Sequence, residues 1–273
     1  MSAGTFQING IINAVGPEEL KAQFAAGKPH KYFAIENFLD SEFARRCMDE
    51  YPSFEEAQKI GREFKAVNER LKVQICDPNK FGPSVLRLHE TLISPEFLDF
   101  ISEVTAIPDL LADPSLAGAG IHQTGSGGHL DVHVDFNRLQ TPPLFRRLNI
   151  LVFLNKDWHP DWGGNFELWD KDVKQMQQRF EPLFNRCILF ETTDESFHGV
   201  SAVRCPSGET RKSFAAYYYT AEPPPHYRGV DHSTLFRSRP DEYLKGKVLM
   251  PLEQTQRWMQ SSISRLKQRI RGR

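Results

Sequence analysis

This sequence is poor in the features that mark stapled, secreted or membrane-embedded chains. Its 273 residues hold four cysteines, Cys47, Cys76, Cys187 and Cys205, and none stands in a C-x-x-C or zinc-finger spacing. A disulfide scaffold and a thiolate-bound zinc are therefore not expected, and scattered thiols of this kind suit a reducing compartment. Charge of one sign is missing too. With 34 basic against 35 acidic side chains the net charge is -1, so no global field draws the chain to nucleic acid or another polyanion. No apolar run approaches the roughly 20 residues of a membrane helix. The first seven residues lack the basic-then-apolar order of a secretory leader. There is no internal repeat and no break in composition. What remains is a chain that is 40% hydrophobic and long enough to bury a sizeable core, read here as a single soluble, cytoplasmic domain.

Patterning divides that domain into three stretches: a mostly helical support over 1–118, a β-rich core over 119–222 and a C-terminal extension over 223–273. Phe43, Cys47, Met48 and Tyr51 recur near helical period, which predicts an amphipathic helix over 40–51 capped by Asp40 or Ser41. Ser94 before Pro95 predicts a second helix through Phe97, Leu98 and Ile101, because serine caps and proline suits the first helical position. Both are expected to pack against a sheet. From Gly120 onward the signal changes to short apolar runs over 148–154, 166–169, 187–190 and 214–219, separated by Gly, Pro and Asp turns. That pattern suits a double-stranded β-helix, or jelly roll, with Phe166, Leu168 and Trp169 filling its interior. Gly163-Gly164 reads as a tight turn where another backbone passes closely. Pro223-Pro224-Pro225 ends the core, since prolines donate no ladder hydrogen bonds. Beyond it, Arg257, Arg265, Lys267, Arg269, Arg271 and Arg273 alternate with Trp258, Met259, Ile263, Leu266 and Ile270, predicting a short basic amphipathic helix that either packs its apolar stripe on its own domain or binds an acidic surface, a membrane or nucleic acid.

The chemistry sits in the core. His133-Val134-Asp135 is followed 65 positions later by His198, in a His-Gly-Val turn. Two neutral imidazoles and one carboxylate can cap one face of an octahedral Fe(II), leaving the opposite positions for a chelating co-substrate and dioxygen. A second H-x-D, His129-Leu130-Asp131, lies four residues upstream. Strict strand alternation would put His129, Asp131, His133 and Asp135 on one face, so parity does not choose between the pairs. Position does: Asp135 adjoins Phe136-Asn137-Arg138 and the turn-rich segment 140–143, where a strand end can aim a carboxylate at a metal. His129 and Asp131 are left as groups at the entrance or behind the ligands.

Thirteen residues past His198, Arg211-Lys212-Ser213 opens an aromatic strand. Alternation places Arg211 and Ser213 on the same face. A guanidinium fork suits bidentate capture of a carboxylate, such as the distal end of a 2-oxoglutarate whose keto-acid end chelates iron, and Ser213 can add a hydrogen bond.

Taken together, these stretches resemble the prolyl 4-hydroxylase superfamily of Fe(II)- and 2-oxoglutarate-dependent dioxygenases. The resemblance runs from Gly120 to Thr220, through 127–137 (Gly-Gly-His-Leu-Asp-Val-His-Val-Asp-Phe-Asn), 146–158 (Arg-Arg-Leu-Asn-Ile-Leu-Val-Phe-Leu-Asn-Lys-Asp-Trp), 162–169 (Trp-Gly-Gly-Asn-Phe-Glu-Leu-Trp), the His198 turn and Arg211-Lys-Ser. Residues 32–39 are similar to the family's lead-in strand. The resemblance implies a mainly β jelly roll with flanking helices, His133, Asp135 and His198 as iron ligands, and Arg211 as the 2-oxoglutarate anchor. It further implies O2 as second co-substrate, ascorbate as an optional reductant, and hydroxylation of an unactivated C-H bond with release of succinate and CO2.

Family members often carry tyrosines near the positions of His122 and Phe153. Neither is tyrosine here, so His122, Asn149 and Ser213 are the expected further co-substrate contacts. The implied substrate is a prolyl residue or a small metabolite, with neither membrane nor nucleic acid as a partner, and the residues leave the oligomeric state open. Two other readings use the same residues. A nucleic-acid demethylase would carry a second arginine six residues past Arg211, where this chain has Tyr217. A non-catalytic jelly-roll binding protein would have no need of an intact His133, Asp135, His198 and Arg211.

Overall fold

The computed structural model describes residues 5–113, 115–242 and 245–250; the basic helix expected within 257–273 lies outside the described residues. The chain opens with β1 (Phe6–Ile8), β2 (Ile12–Val15), α1 (Pro17–Ala26), β3 (Tyr32–Ile35), α2 (Ser41–Asp49), α3 (Phe54–Ile60), β4 (Arg62–Lys65), β5 (Glu69–Ile75), α4 (Pro83–Leu92), α5 (Pro95–Thr105) and β6 (Leu111–Ala112). There follow β7 (Gly120–Val134), β8 (Arg138–Gln140), β9 (Pro143–Phe153), β10 (Phe166–Trp169), β11 (Met176–Phe180), β12 (Cys187–Glu191), β13 (His198–Val200), β14 (Arg211–Thr220) and β15 (Leu235–Arg237).

The two helices expected from sequence form where their caps stand. Asp40 Oδ1 accepts from the Glu42 and Phe43 amides at 3.0 Å each, and Ser94 Oγ accepts from the Phe97 amide at 3.2 Å. Each such cap contributes about 1 kcal/mol by satisfying donors that the first helical turn leaves unpaired. Phe97 and Ile101 of α5 then enter a large core that also takes in Leu148, Ile150 and Tyr218 from the sheet.

The 15-residue β7 is the spine of the architecture. Its first half pairs with β14, its second half with β13 and β15, and β5 runs along it from Ile121 to Leu130, all antiparallel. Strand order runs β3-β12-β9-β14-β7 on one side and continues β13-β10-β11 on the other. Curling about β7 thus makes two facing layers, a double-stranded β-helix. Between the layers lie Phe153, Phe166, Leu168, Phe180, Ile188 and Phe190. Each buried ring contributes about 2 kcal/mol of hydrophobic stabilisation, and together they wall the interior against water.

Three expectations change. Phe166 and Leu168 fill the interior, but Trp169, one residue on and so on the opposite face, packs outside with Val132, Val134, Val173 and Phe197. The stretch before residue 119 is not only helical support, because β3 pairs with β12 and β5 pairs with β7. The stretch after the three prolines returns to the core as β15, aligned on β7 with Phe236 opposite His133. Gly163 and Gly164 behave as read: both have positive φ, and a Cβ on Gly163 would stand 2.3 Å from the Ala202 carbonyl oxygen.

Candidate active site

The pairing of β7 with β13 decides which side chains meet. His198 stands opposite His133, but Val200 stands opposite Leu130, so Asp131 and Val132 together face the single residue Gly199. This is a β-bulge, and the extra residue resets the alternation upstream of His133. Leu130 and His133 consequently line one cavity, while Val132 packs on the outside and Asp131 meets Lys245 at 2.6 Å. Placing His129 and Asp131 alongside His133 and Asp135 is therefore corrected: the bulge carries the upstream pair to the other face. Gly199 permits it, since a Cβ there would press to 3.1 Å from Leu130 O and 3.2 Å from Val132 N.

The remaining three groups converge. His133 Nε2 is 3.6 Å from Asp135 Oδ1, and His198 Nε2 is 3.4 Å from Asp135 Oδ2. One ligand atom from each of the three lies within 4.8 Å of the others. Each imidazole Nδ1 faces a main-chain carbonyl, Asp131 O at 2.8 Å and Ser196 O at 2.9 Å. A carbonyl only accepts, so Nδ1 carries the hydrogen and Nε2 keeps its lone pair for the shared point. Burial and the neighbouring His133 lower the pKa of His198, which favours the neutral, ligating form.

Asp135 is held in its ionised form. Burial alone would raise its pKa, but chiefly the Arg146 guanidinium outweighs this and holds it well below the usual carboxylate range. Arg146 Nη2 is 3.1 Å from Asp135 Oδ2, and the Asn149 amide donates to the same oxygen at 2.8 Å. Two imidazole lone pairs and one carboxylate with no proton between them form a donor set that fits Fe(II).

These groups share a cavity of about 320 Å³ with Arg211. The Arg211 side chain is buried; its Nε donates to Gly164 O at 2.6 Å and its Nη1 to Ser213 Oγ at 3.4 Å. Among the described residues no carboxylate pairs with it, and burial alone lowers its pKa to about 10. Gly164 makes this approach possible, because a Cβ there would meet Arg211 Cδ at 3.0 Å. A buried, unpaired cation is costly, so the pocket favours an anion.

Two expected co-substrate contacts are already engaged. The Asn149 amide donates one hydrogen to Asp135, and its oxygen accepts from Arg146 Nε at 2.8 Å, so both ends of the side chain brace the carboxylate. His122 lines the cavity, but its Nε2 lies 2.8 Å from the Gln74 amide nitrogen, which can only donate, so this ring nitrogen accepts and offers no hydrogen. Burial lowers the pKa of His122 well below its ordinary value. Sequence reasoning missed Arg146, whose guanidinium lies 3.5 Å from the Tyr217 ring centre and 4.6 Å from that of Phe136. It also missed Phe236, whose ring is 5.4 Å from that of His133.

Residues 119–219 match the 2OG-Fe(II) oxygenase superfamily. The match covers the β-rich core that carries His133, Asp135, His198 and Arg211. The chain is 28% identical over 208 residues to a prolyl 3,4-dihydroxylase OGFOD1 from Ostreococcus tauri, a match covering 71% of this chain and 38% of that protein. It is 35% identical over 79 residues to a prolyl 3-hydroxylase OGFOD1 from Mus musculus, covering 27% of this chain and 14% of the relative. The chain thus spans well under half the length of these curated relatives. Among solved structures, a Pseudomonas putida prolyl-4-hydroxylase has a TM-score of 0.51 at 15% identity, over 74% of this chain and 98% of the other. A prolyl 4-hydroxylase from Phytophthora capsici gives 0.51 at 18% identity, over 79% and 70%. At these identities the likeness is one of fold, a jelly roll with flanking helices.

Proposed function

We propose that this chain uses Fe(II), 2-oxoglutarate and O2 to hydroxylate a C-H bond of a prolyl residue. The observation that carries the reading is the buried Arg211, unpaired among the described residues and sharing one cavity with His133, Asp135 and His198. A metal donor set on one side and an anion-seeking guanidinium on the other match a ligand that chelates at one end and bears a carboxylate at the other. His133, Asp135 and His198 would hold the iron, and Arg211 with Ser213 would take the distal carboxylate. Once bound, the iron supplies dioxygen activation coupled to decarboxylation of 2-oxoglutarate to succinate and CO2. Arg146 and Asn149 keep Asp135 ionised and oriented. Leu151, Phe166 and Phe190 exclude water from the cavity, and Phe136, Tyr217 and Phe236 give an apolar lining suited to a prolyl ring.

The names of the curated relatives favour a prolyl substrate over a free metabolite. The demethylase alternative is not favoured, since Tyr217 stands where its second arginine would be and gives its hydroxyl to Gly118 O at 2.7 Å. Four free cysteines, three of them buried, support a cytoplasmic location, and no described helix is long and apolar enough to cross a membrane. The test is succinate release from the iron-loaded protein over a panel of prolyl peptides and free metabolites. A prolyl peptide is expected to accelerate it. Acceleration by a metabolite alone would reassign the substrate, and no 2-oxoglutarate consumption under any condition would reject the activity.

A further inference from the structure

On the outer face of the sheet, directly behind the two histidines, lies an ionic cluster that the proposed reaction does not use. Asp131, in the bulge, has no exposed surface. Its Oδ1 lies 2.6 Å from Lys245 Nζ, 3.6 Å from Arg239 Nη1 and 3.6 Å from His129 Nε2. Arg239 also donates from Nε and Nη2 to Glu167 Oε2 at 3.1 and 2.9 Å, and from Nη2 to Val200 O at 3.3 Å. One guanidinium from the C-terminal extension therefore touches β7, β10 and β13.

Those contacts fall beside the metal ligands. Asp131 is two residues before His133, and its carbonyl accepts the His133 Nδ1 hydrogen. Val200 is two residues after His198, and Glu167 pairs with Gly199 between them. The same extension places Phe236 opposite His133 on the pocket side. Asp131 and Glu167 are both buried carboxylates, and leaving either without its cation is expensive because nothing in the low-dielectric interior screens it. Loss of Arg239 would strip Glu167 of its cation and Val200 O of this donor, while Asp131 would keep Lys245. The tie that joins β10 and β13 to β7 beside His133 and His198 would go with it.

We propose that Arg239, assisted by Lys245, is a positioning residue for the metal ligands: the C-terminal extension grips the back of the sheet and fixes the separation of His133 and His198. The inference rests on the metal site argued above. Groups that orient ligating histidines from behind are typically worth 10- to 100-fold in metal affinity. It also predicts reciprocity, since an extension that tightens metal binding must itself be tightened by the metal.

The experiment uses the full chain and Co(II) under anaerobic conditions. In Arg239→Gln, Co(II) affinity should fall by about 10- to 100-fold with a changed d-d band, and Arg239→Lys should recover part of it. In the unaltered protein, Co(II) should slow hydrogen exchange at the Glu242 and Gly246 amides, which bond to Arg239 O and Glu242 O at 3.0 Å each. Unchanged affinity and band in Arg239→Gln would overturn the proposal. If that variant does not fold, the exchange measurement decides, and indifference of those two amides to Co(II) would overturn it equally. Failure of the unaltered protein to bind Co(II) at all would instead remove the metal reading on which the inference stands.

Discussion

Replacing Arg211 with methionine should push stability and co-substrate binding in opposite directions. Burial takes the Arg211 pKa from 12.5 down to about 10. At about 1.4 kcal/mol per pKa unit, this corresponds to an order of 3 kcal/mol spent on keeping an unpaired charge inside the ligand-free protein. The sign follows from linkage. The folded value lies below the unfolded one, so at neutral pH both states are protonated and the folded state bears the whole cost, which is relieved only as pH climbs past about 10. Methionine removes that cost and also the hydrogen bonds to Gly164 O and Ser213 Oγ, together about 2 kcal/mol. A net gain of about 1 kcal/mol should raise the melting temperature of the ligand-free protein by roughly 2–4 °C. Binding should suffer far more. A 2-oxoglutarate carboxylate entering this cavity without its cation forfeits a buried pair worth about 3–5 kcal/mol, hence at least a hundredfold rise in KM. Melting curves of the ligand-free variant and steady-state succinate release measure the two effects. An unchanged KM would refute the role of Arg211, and a melting temperature several degrees lower would refute the account of its burial.

Arg146→Gln should leave Asp135 buried without its main countercharge. In the unaltered protein the folded Asp135 pKa is depressed, so its stabilising contribution is present above the unfolded value near 3.8 and is lost as pH falls through the folded value. The variant should begin to lose both stability and metal at a higher pH, which an acid titration of the melting temperature with and without Co(II) would reveal; superimposable curves would contradict it. His30 makes a separate acid-side prediction. Among the described residues neither of its buried ring nitrogens has a hydrogen-bond partner, and burial takes its pKa from 6.5 to about 3. The unfolded chain binds this proton first, so stability should decline as pH drops from 6.5 toward 3, by roughly 4 kcal/mol in total. His30→Phe should flatten that decline, and an equally steep acid limb in the variant would show that other groups cause it.

Much of the site was legible because its chemistry restricts residue type. His133, Asp135 and His198 offered two imidazoles and a carboxylate near strand ends, and the fold gathers them within ligand distance. Arg211 and Ser213 share a face through plain strand alternation, and their side chains touch. The helices at Asp40 and Ser94 were announced by their caps. What escaped depends on contacts distant in sequence. The bulge at Asp131 and Val132 exists only because β13 pairs there, so nothing local tells that His129 and Asp131 turn away from the iron side. Arg146 received no role from sequence, because Asp135 and Tyr217 close around it only in the fold. Asn149 looked free for the same reason. Phe236 and Arg239 follow three prolines that suggest the core has ended, yet the chain returns to pair with β7 about a hundred residues downstream of it.

The most direct test of the central claim is anaerobic titration of the purified protein with Fe(II) and 2-oxoglutarate, followed by visible absorption. One iron per chain should bind with a weak charge-transfer band that disappears in both His133→Ala and His198→Ala. A well-folded unaltered protein without the band, or a band that survives both substitutions, would contradict the shared metal site.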